Sequence, residues 1–274
     1  MANPALAVLE NALRARKLDR TLTTALPPLD HRADATTLAA TDVVLLDACL
    51  RGGLPRGQLS EIAGPQSSGR TLLLLQMMAA ATRRGDIAAL VDTLDRLDLS
   101  SAVSAGIDLD RLLWIRGQTI SQQQATEAQR HGEDDFSTPC LRVSVARDHG
   151  TLDRAIDRAL KALNLVLQAG GFGVVAIDLA DVPPSALARI PLTTWLRVQR
   201  TIEGSETACV IVAPQPLARS ARGVTLSLTG RARWTGNADR SRRLAGVDVA
   251  VRVVSPRRHV DGDVCFAAST SDSH

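Results

Sequence analysis

A chain of 274 residues with 45% hydrophobic and 22% charged side chains can bury a full core, and its net charge of +3 points to no particular partner. Aromatic residues are only 2% with no tyrosine, which leaves little material for stacking single-stranded bases. Four scattered cysteines (Cys49, Cys140, Cys209, Cys265) lack zinc spacing, and the longest apolar run, TLLLLQMMAAAT, is too short to cross a bilayer, so reduced thiols and a soluble, cytoplasmic chain with no membrane contact are expected.

In chain order, residues 5–18 place Leu6, Leu9 and Leu13 on one helical face, with Arg14, Arg16 and Lys17 following toward the C-terminal end. The proline-containing stretch ALPPLDHRADATT (25–37) reads as a linker to the main body. From residue 43 onward apolar runs alternate with helical patterns. Strands are expected at 58–63, 87–91, 112–115, 141–145, 173–177, 208–212, 224–228 and 247–254, and helices at 70–83, 95–105, 151–169 and 185–201. That alternation predicts an α/β fold with a mainly parallel, twisted sheet flanked by helices. The expected division is an N-terminal helix and linker over 1–37, a core over 38–258 with a polar insertion at 117–147, and a C-terminal tail over 259–274.

The stretch SEIAGPQSSGRTLLLLQ (60–76) carries the chemistry. An apolar strand runs into a loop of small residues and then into a helix. Gly64, Gly69 and Thr71 have the spacing of G-x-x-x-x-G-K-[ST], whose backbone N–H groups and helix N-terminus cradle phosphates. Gly64, Pro65, Ser67, Ser68, Gly69, Arg70 and Thr71 are therefore the candidate nucleotide-binding residues. The lysine position holds Arg70, which keeps the charge on a larger, planar group.

The neighbourhood RGGLPRGQLSEIAGPQSSGRTLLLLQMMAAATRRG, with GIDLDRLLWIRG (106–117) after it, resembles the RecA recombinase family. The resemblance covers roughly residues 40–116 and returns in outline at 151–254. It implies a RecA-type P-loop core, ATP and Mg²⁺ as cofactors held weakly or not at all, Thr71 and Asp178 toward the metal, and Gln215 toward the terminal phosphate. The family's catalytic glutamate corresponds to Leu94 in VDTLD, with Asp95 adjacent but aimed to the other face of an extended backbone. No catalytic residue is assigned.

The segments matching the family's DNA-binding loops, after Asp178 and after Gln215, are short, and the family's further C-terminal domain is not expected after the core. Residues 219–258 carry ten arginines against Asp239 and Asp248, and Arg231, Arg233, Arg240, Arg242 and Arg243 are the candidate surface for nucleic acid or an acidic partner. This pattern is similar to the ImuA family of short RecA-like accessory proteins. It implies a regulator of damage-induced translesion synthesis with three partners: a RecA recombinase, an ImuB-type Y-family polymerase homologue and an error-prone DNA polymerase. Single-stranded DNA is a further candidate ligand. The alternative is a slow DNA-dependent ATPase of recombinational repair.

Overall fold

The structure, a computed structural model, describes residues 38–117, 149–218, 222–236, 242–254 and 263–269. The helix expected at 5–18, its linker, the strand expected at 141–145 and most of the polar insertion lie outside the described residues.

The strands are β1 (Leu38–Ala39), β2 (Leu54–Pro55), β3 (Leu59–Ala63), β4 (Ala88–Asp92), β5 (Leu112–Arg116), β6 (Val174–Asp178), β7 (Ala208–Ala213), β8 (Thr225–Thr235), β9 (Arg243–Val254) and β10 (Asp263–Ser269). The helices are α1 (Val44–Leu50), α2 (Arg70–Arg83), α3 (Leu99–Ser104), α4 (His149–Ala169), α5 (Pro184–Leu187) and α6 (Leu192–Ile202). Among the described residues the main sheet has the order β10-β9-β8-β3-β7-β6-β4-β5, and β1 pairs with β2 separately. Neighbours from β8 to β5 run parallel, while β9 and β10 extend the sheet in antiparallel fashion. No described helix is long and apolar enough to cross a membrane.

Parallel strands covered on both faces read as unbroken apolar runs, and β3, β4 and β7 are buried along their whole length. Side-chain alternation divides each strand between two cores. Ile62, Leu90, Ala176 and Val210 face α1 and α2, packing on Leu46, Leu50, Leu73, Met77 and Met78. Leu59, Val91, Ile177 and Ile211 face α4 and α6, packing on Ile156, Leu163, Trp195 and Val198. The run TLLLLQMMAAAT is apolar on nearly every side because α2 is buried almost throughout, as an all-apolar helix must be.

Several boundaries differ from expectation for local reasons. The helix expected over 185–201 is two, α5 and α6, because Pro191 interrupts the backbone ladder and caps α6. The helix expected from residue 95 begins at Leu99, since the N–H groups of Arg96 and Leu97 are spent on the Asp92 carboxylate. β8 runs on to Thr235, and β9 begins at Arg243. The sheet also continues beyond Arg258, where a tail was expected: β10 pairs with β9 from Asp263 to Ser269.

Register sets the functional edge. Ala63 lies beside Ala213, Asp178 beside Val212, and Asp92 beside Asp178. The segments leaving β3, β4, β6 and β7 therefore emerge on one side of the sheet, the carboxyl edge where open α/β sheets hold their ligands.

Candidate functional site

Six residues, Gly64–Gly69, join β3 to α2. Ser67 and Gly69 both take left-handed backbone angles (φ 62° and 90°). Such alternation turns successive N–H groups toward one point, and α2 adds its N-terminal dipole there. Serine in this conformation is strained, a condition that concentrates at functional loops. The Ser68 residue is 1% exposed, yet its hydroxyl has no hydrogen-bond partner. A buried hydroxyl left unpaired costs about 1–3 kcal/mol, and this one faces Gly64 at the back of the loop, which is not part of the cavity lining.

The loop is clamped from above by β8 and β9. A β-carbon on Gly69 would come within 2.7 Å of Val249 Cγ2, and one on Gly230 would sit 2.3 Å from the Ser67 carbonyl. Together these elements border an open cavity of about 430 Å³, lined by residues 66–72, Asp181, Leu244, Gly246 and Val247. That volume suits a small ligand. Ser67, Ser68, Gly69, Arg70 and Thr71 line it. Gly64 instead lies behind Ser68, packed against the Leu228 carbonyl, and Pro65 is exposed. Gln215 is exposed beyond β7 and is not among the lining residues. Its loop is held from below by Glu61, which is 2% exposed and accepts the N–H groups of Leu217 and Ala218.

Arg70 does not reach out into the cavity. It is 6% exposed and its Nη1 donates to the Ala180 carbonyl at 3.2 Å, while the Ala180 N–H donates to Asp178 Oδ1 at 2.8 Å. The guanidinium thus lies at the carboxyl end of β6. Burial lowers its pKa, and the nearby carboxylates of Asp178 and Asp181 oppose that shift. The phosphate-binding half of the site fits its expected group. Of the residues expected toward a metal, Thr71 lines the cavity and Asp178 ends β6, while the Arg70 guanidinium, held on the Ala180 carbonyl, adds a covalently attached cation near Asp178. Among the described residues no cluster of three or more His, Cys, Asp or Glu is arranged to hold a metal.

Burial raises the Asp178 carboxyl to about 6, reinforced by Asp92 and Asp181 and opposed by the Ala180 N–H and Arg70. In the unfolded chain it titrates near 3.8. Between those values the folded protein holds a proton that the unfolded chain has released, so this group's stabilising contribution is lost as pH rises through 6. Asp178→Asn keeps the neutral form at every pH. Its stability relative to the parent should improve by about 1.4 kcal/mol per pH unit between about pH 4 and 6, reaching about 3 kcal/mol and staying there at higher pH. Urea denaturation at several pH values checks this; a flat difference would mean that Asp178 is ionised throughout.

The end of β4 is chemically closed. Asp92 is 1% exposed and accepts from Arg96 N (2.9 Å), Leu97 N (2.8 Å) and Trp114 Nε1 (3.2 Å). Leu94 is 8% exposed and belongs to the core beneath α4 and α6. Asp95 adopts φ 56° and takes two 2.8 Å hydrogen bonds from Arg116, away from the cavity.

The candidate arginine surface falls on the β8–β9 pair. Arg231 stands opposite Asp248, Arg233 opposite Gly246, and Arg243 opposite Thr235; all three arginines are exposed. Arg233 also bridges Asp248 at 3.2 Å, so part of the charge is answered locally. Arg242 lies over the Trp234 ring at 5.8 Å. Arg240 is outside the described residues.

The cavity's far wall was not foreseen. Asp181, Leu244, Gly246 and Val247 come from segments more than a hundred residues beyond the loop. One local signal existed: a glycine inside a strand, Gly230 in LTGRAR, marks a close backbone approach.

Residues 22–130 match the family model described as RecA N-terminal domain. The chain is 46% identical over 74 residues to Protein RecA of Synechococcus elongatus, covering 27% of this chain and 21% of that protein. It is 45% identical over 93 residues to Protein RecA of Clavibacter michiganensis subsp. michiganensis, covering 34% and 26%. The chain thus spans about a fifth to a quarter of the length of the curated relatives it matches.

Proposed function

We propose that this chain is a RecA-like accessory protein of DNA-damage-induced (SOS) translesion synthesis whose loop binds a nucleotide without turning it over. It acts through contacts with a RecA recombinase, an ImuB-type Y-family polymerase homologue and an error-prone DNA polymerase. The likeness to RecA over the loop-bearing region supports the superfamily. The observation that carries the functional reading lies at the end of β4. Phosphoryl transfer to water needs a group that orients the nucleophile, yet Leu94 is in the core and the oxygens of Asp92 are engaged by three donors. What remains is a loop able to hold phosphate and an exposed hairpin bearing Arg231, Arg233, Arg242 and Arg243, a surface for an acidic partner or single-stranded DNA.

Two measurements on the full chain test this. Pull-downs with purified RecA recombinase and the ImuB-type protein should retain both partners. Phosphate release from ATP, with and without single-stranded DNA, should stay at background. A second reading, a slow DNA-dependent ATPase, draws on the intact loop and on Asp178 at the end of β6. Turnover that rises with single-stranded DNA and disappears in Asp178→Ala would establish it and remove the first.

A further inference from the structure

We infer that the loop binds the phosphates of a nucleoside di- or triphosphate without a divalent cation, the Arg70 guanidinium serving as the site's built-in counter-ion. This rests on the reading that the loop holds a nucleotide.

A phosphate entering the nest meets three sources of positive potential. These are the N–H groups of the Ser67–Gly69 turn other than that of Ser68, which donates to the Pro65 carbonyl at 3.3 Å, the N-terminus of the 14-residue helix α2, and Arg70 at the cavity floor. It also meets Asp181 in the cavity lining and Asp178 just beneath. Two carboxylates beside a polyphosphate require a cation between them. Sites of this loop type ordinarily supply a diffusible metal, held through the loop hydroxyl and a strand-end aspartate. Here that cation is already attached to the chain. Arg70 is 6% exposed, reaches under the loop to the Ala180 carbonyl at 3.2 Å, and so lies at the strand end that carries Asp178.

A hydrated Mg²⁺ demands near-octahedral oxygen ligands and keeps several waters. The carboxylate oxygens are poor for it. One Asp178 oxygen is taken by the Ala180 N–H, and Asp181 is drawn toward Arg96 at 3.7 Å.

The test is a fluorescence titration of the full chain with mant-ADP in excess Mg²⁺ and in excess EDTA. The dissociation constant should agree within about twofold between the two conditions, well under the tenfold that a lost charge-assisted contact produces. Arg70→Ala should weaken binding at least about tenfold in EDTA, and Arg70→Lys, with a shorter reach to Ala180, should bind more tightly in Mg²⁺ than in EDTA. A parent protein that loses about tenfold or more in EDTA would overturn the inference, as would one that binds in neither condition. If Arg70→Ala fails to fold, the parent comparison still decides. A metal requirement would leave the partner pull-downs untouched, and failed pull-downs would leave this titration untouched, so the two proposals fail separately.

Discussion

Leu94→Glu is expected to lower stability by about 4 kcal/mol and to yield no phosphate release. The glutamate would stand where RecA-like enzymes carry their water-orienting carboxylate, so the substitution looks like a repair. The structure gives that side chain nowhere to work. Leu94 is 8% exposed and packs with Val91, Ile156 and Leu163 under α4. Glutamate there loses aliphatic packing and must either bury a charge or bind a proton. Urea denaturation measures the loss, and a phosphate-release assay on the same sample measures the chemistry. Unchanged stability together with new turnover would mean that residue 94 reaches the cavity and that the β4 end is not closed. Adding Arg70→Lys to this variant should restore nothing, because the obstruction at β4 is separate from the one at the loop.

The second large effect concerns Asp92. Asp92→Ala should destabilise the fold by about 3–5 kcal/mol, since it strands three donors around a buried carboxylate, Arg96 N, Leu97 N and Trp114 Nε1, at about 1–3 kcal/mol each. Asp92→Asn keeps an acceptor oxygen and should lose roughly half as much. Tryptophan fluorescence reports on the third donor directly, and a shift confined to Trp114 should accompany the loss. An alanine variant as stable as the parent would show that the carboxylate is free for other work. Mutating Asp92 should therefore reduce the amount of folded protein rather than any activity per folded molecule.

Much of this was legible in the sequence because it is local. The strand, the small-residue loop and the apolar helix of 59–83 follow from periodicity and spacing, and the buried parallel strands follow from apolar runs such as ACVIVA. The departure at Leu94 was equally visible, being a residue type at a counted position. What stayed hidden depended on distant partners. Arg70 could be read as a phosphate contact, but that it turns under the loop to Ala180 depends on a turn 110 residues away. β8 was expected to end at 228; pairing with β9 carries it to Thr235. β10 follows a proline- and charge-bearing stretch and acquires its strand character from β9 alone. Glu61 gave no sign of holding the Leu217–Ala218 backbone.

The β8–β9 hairpin has one more consequence. Its inward positions, Gly230 and Val249, press on the phosphate loop, while Arg231 and Asp248, one peptide along each strand, point the opposite way. Cavity wall and outer arginine surface are two sides of the same pair of strands, a membrane one backbone thick. A molecule whose entry shifts that wall also moves the arginines behind it. Where entry does shift the wall, linkage makes a partner gripping the arginines change how tightly the loop holds its guest by the same factor in each direction.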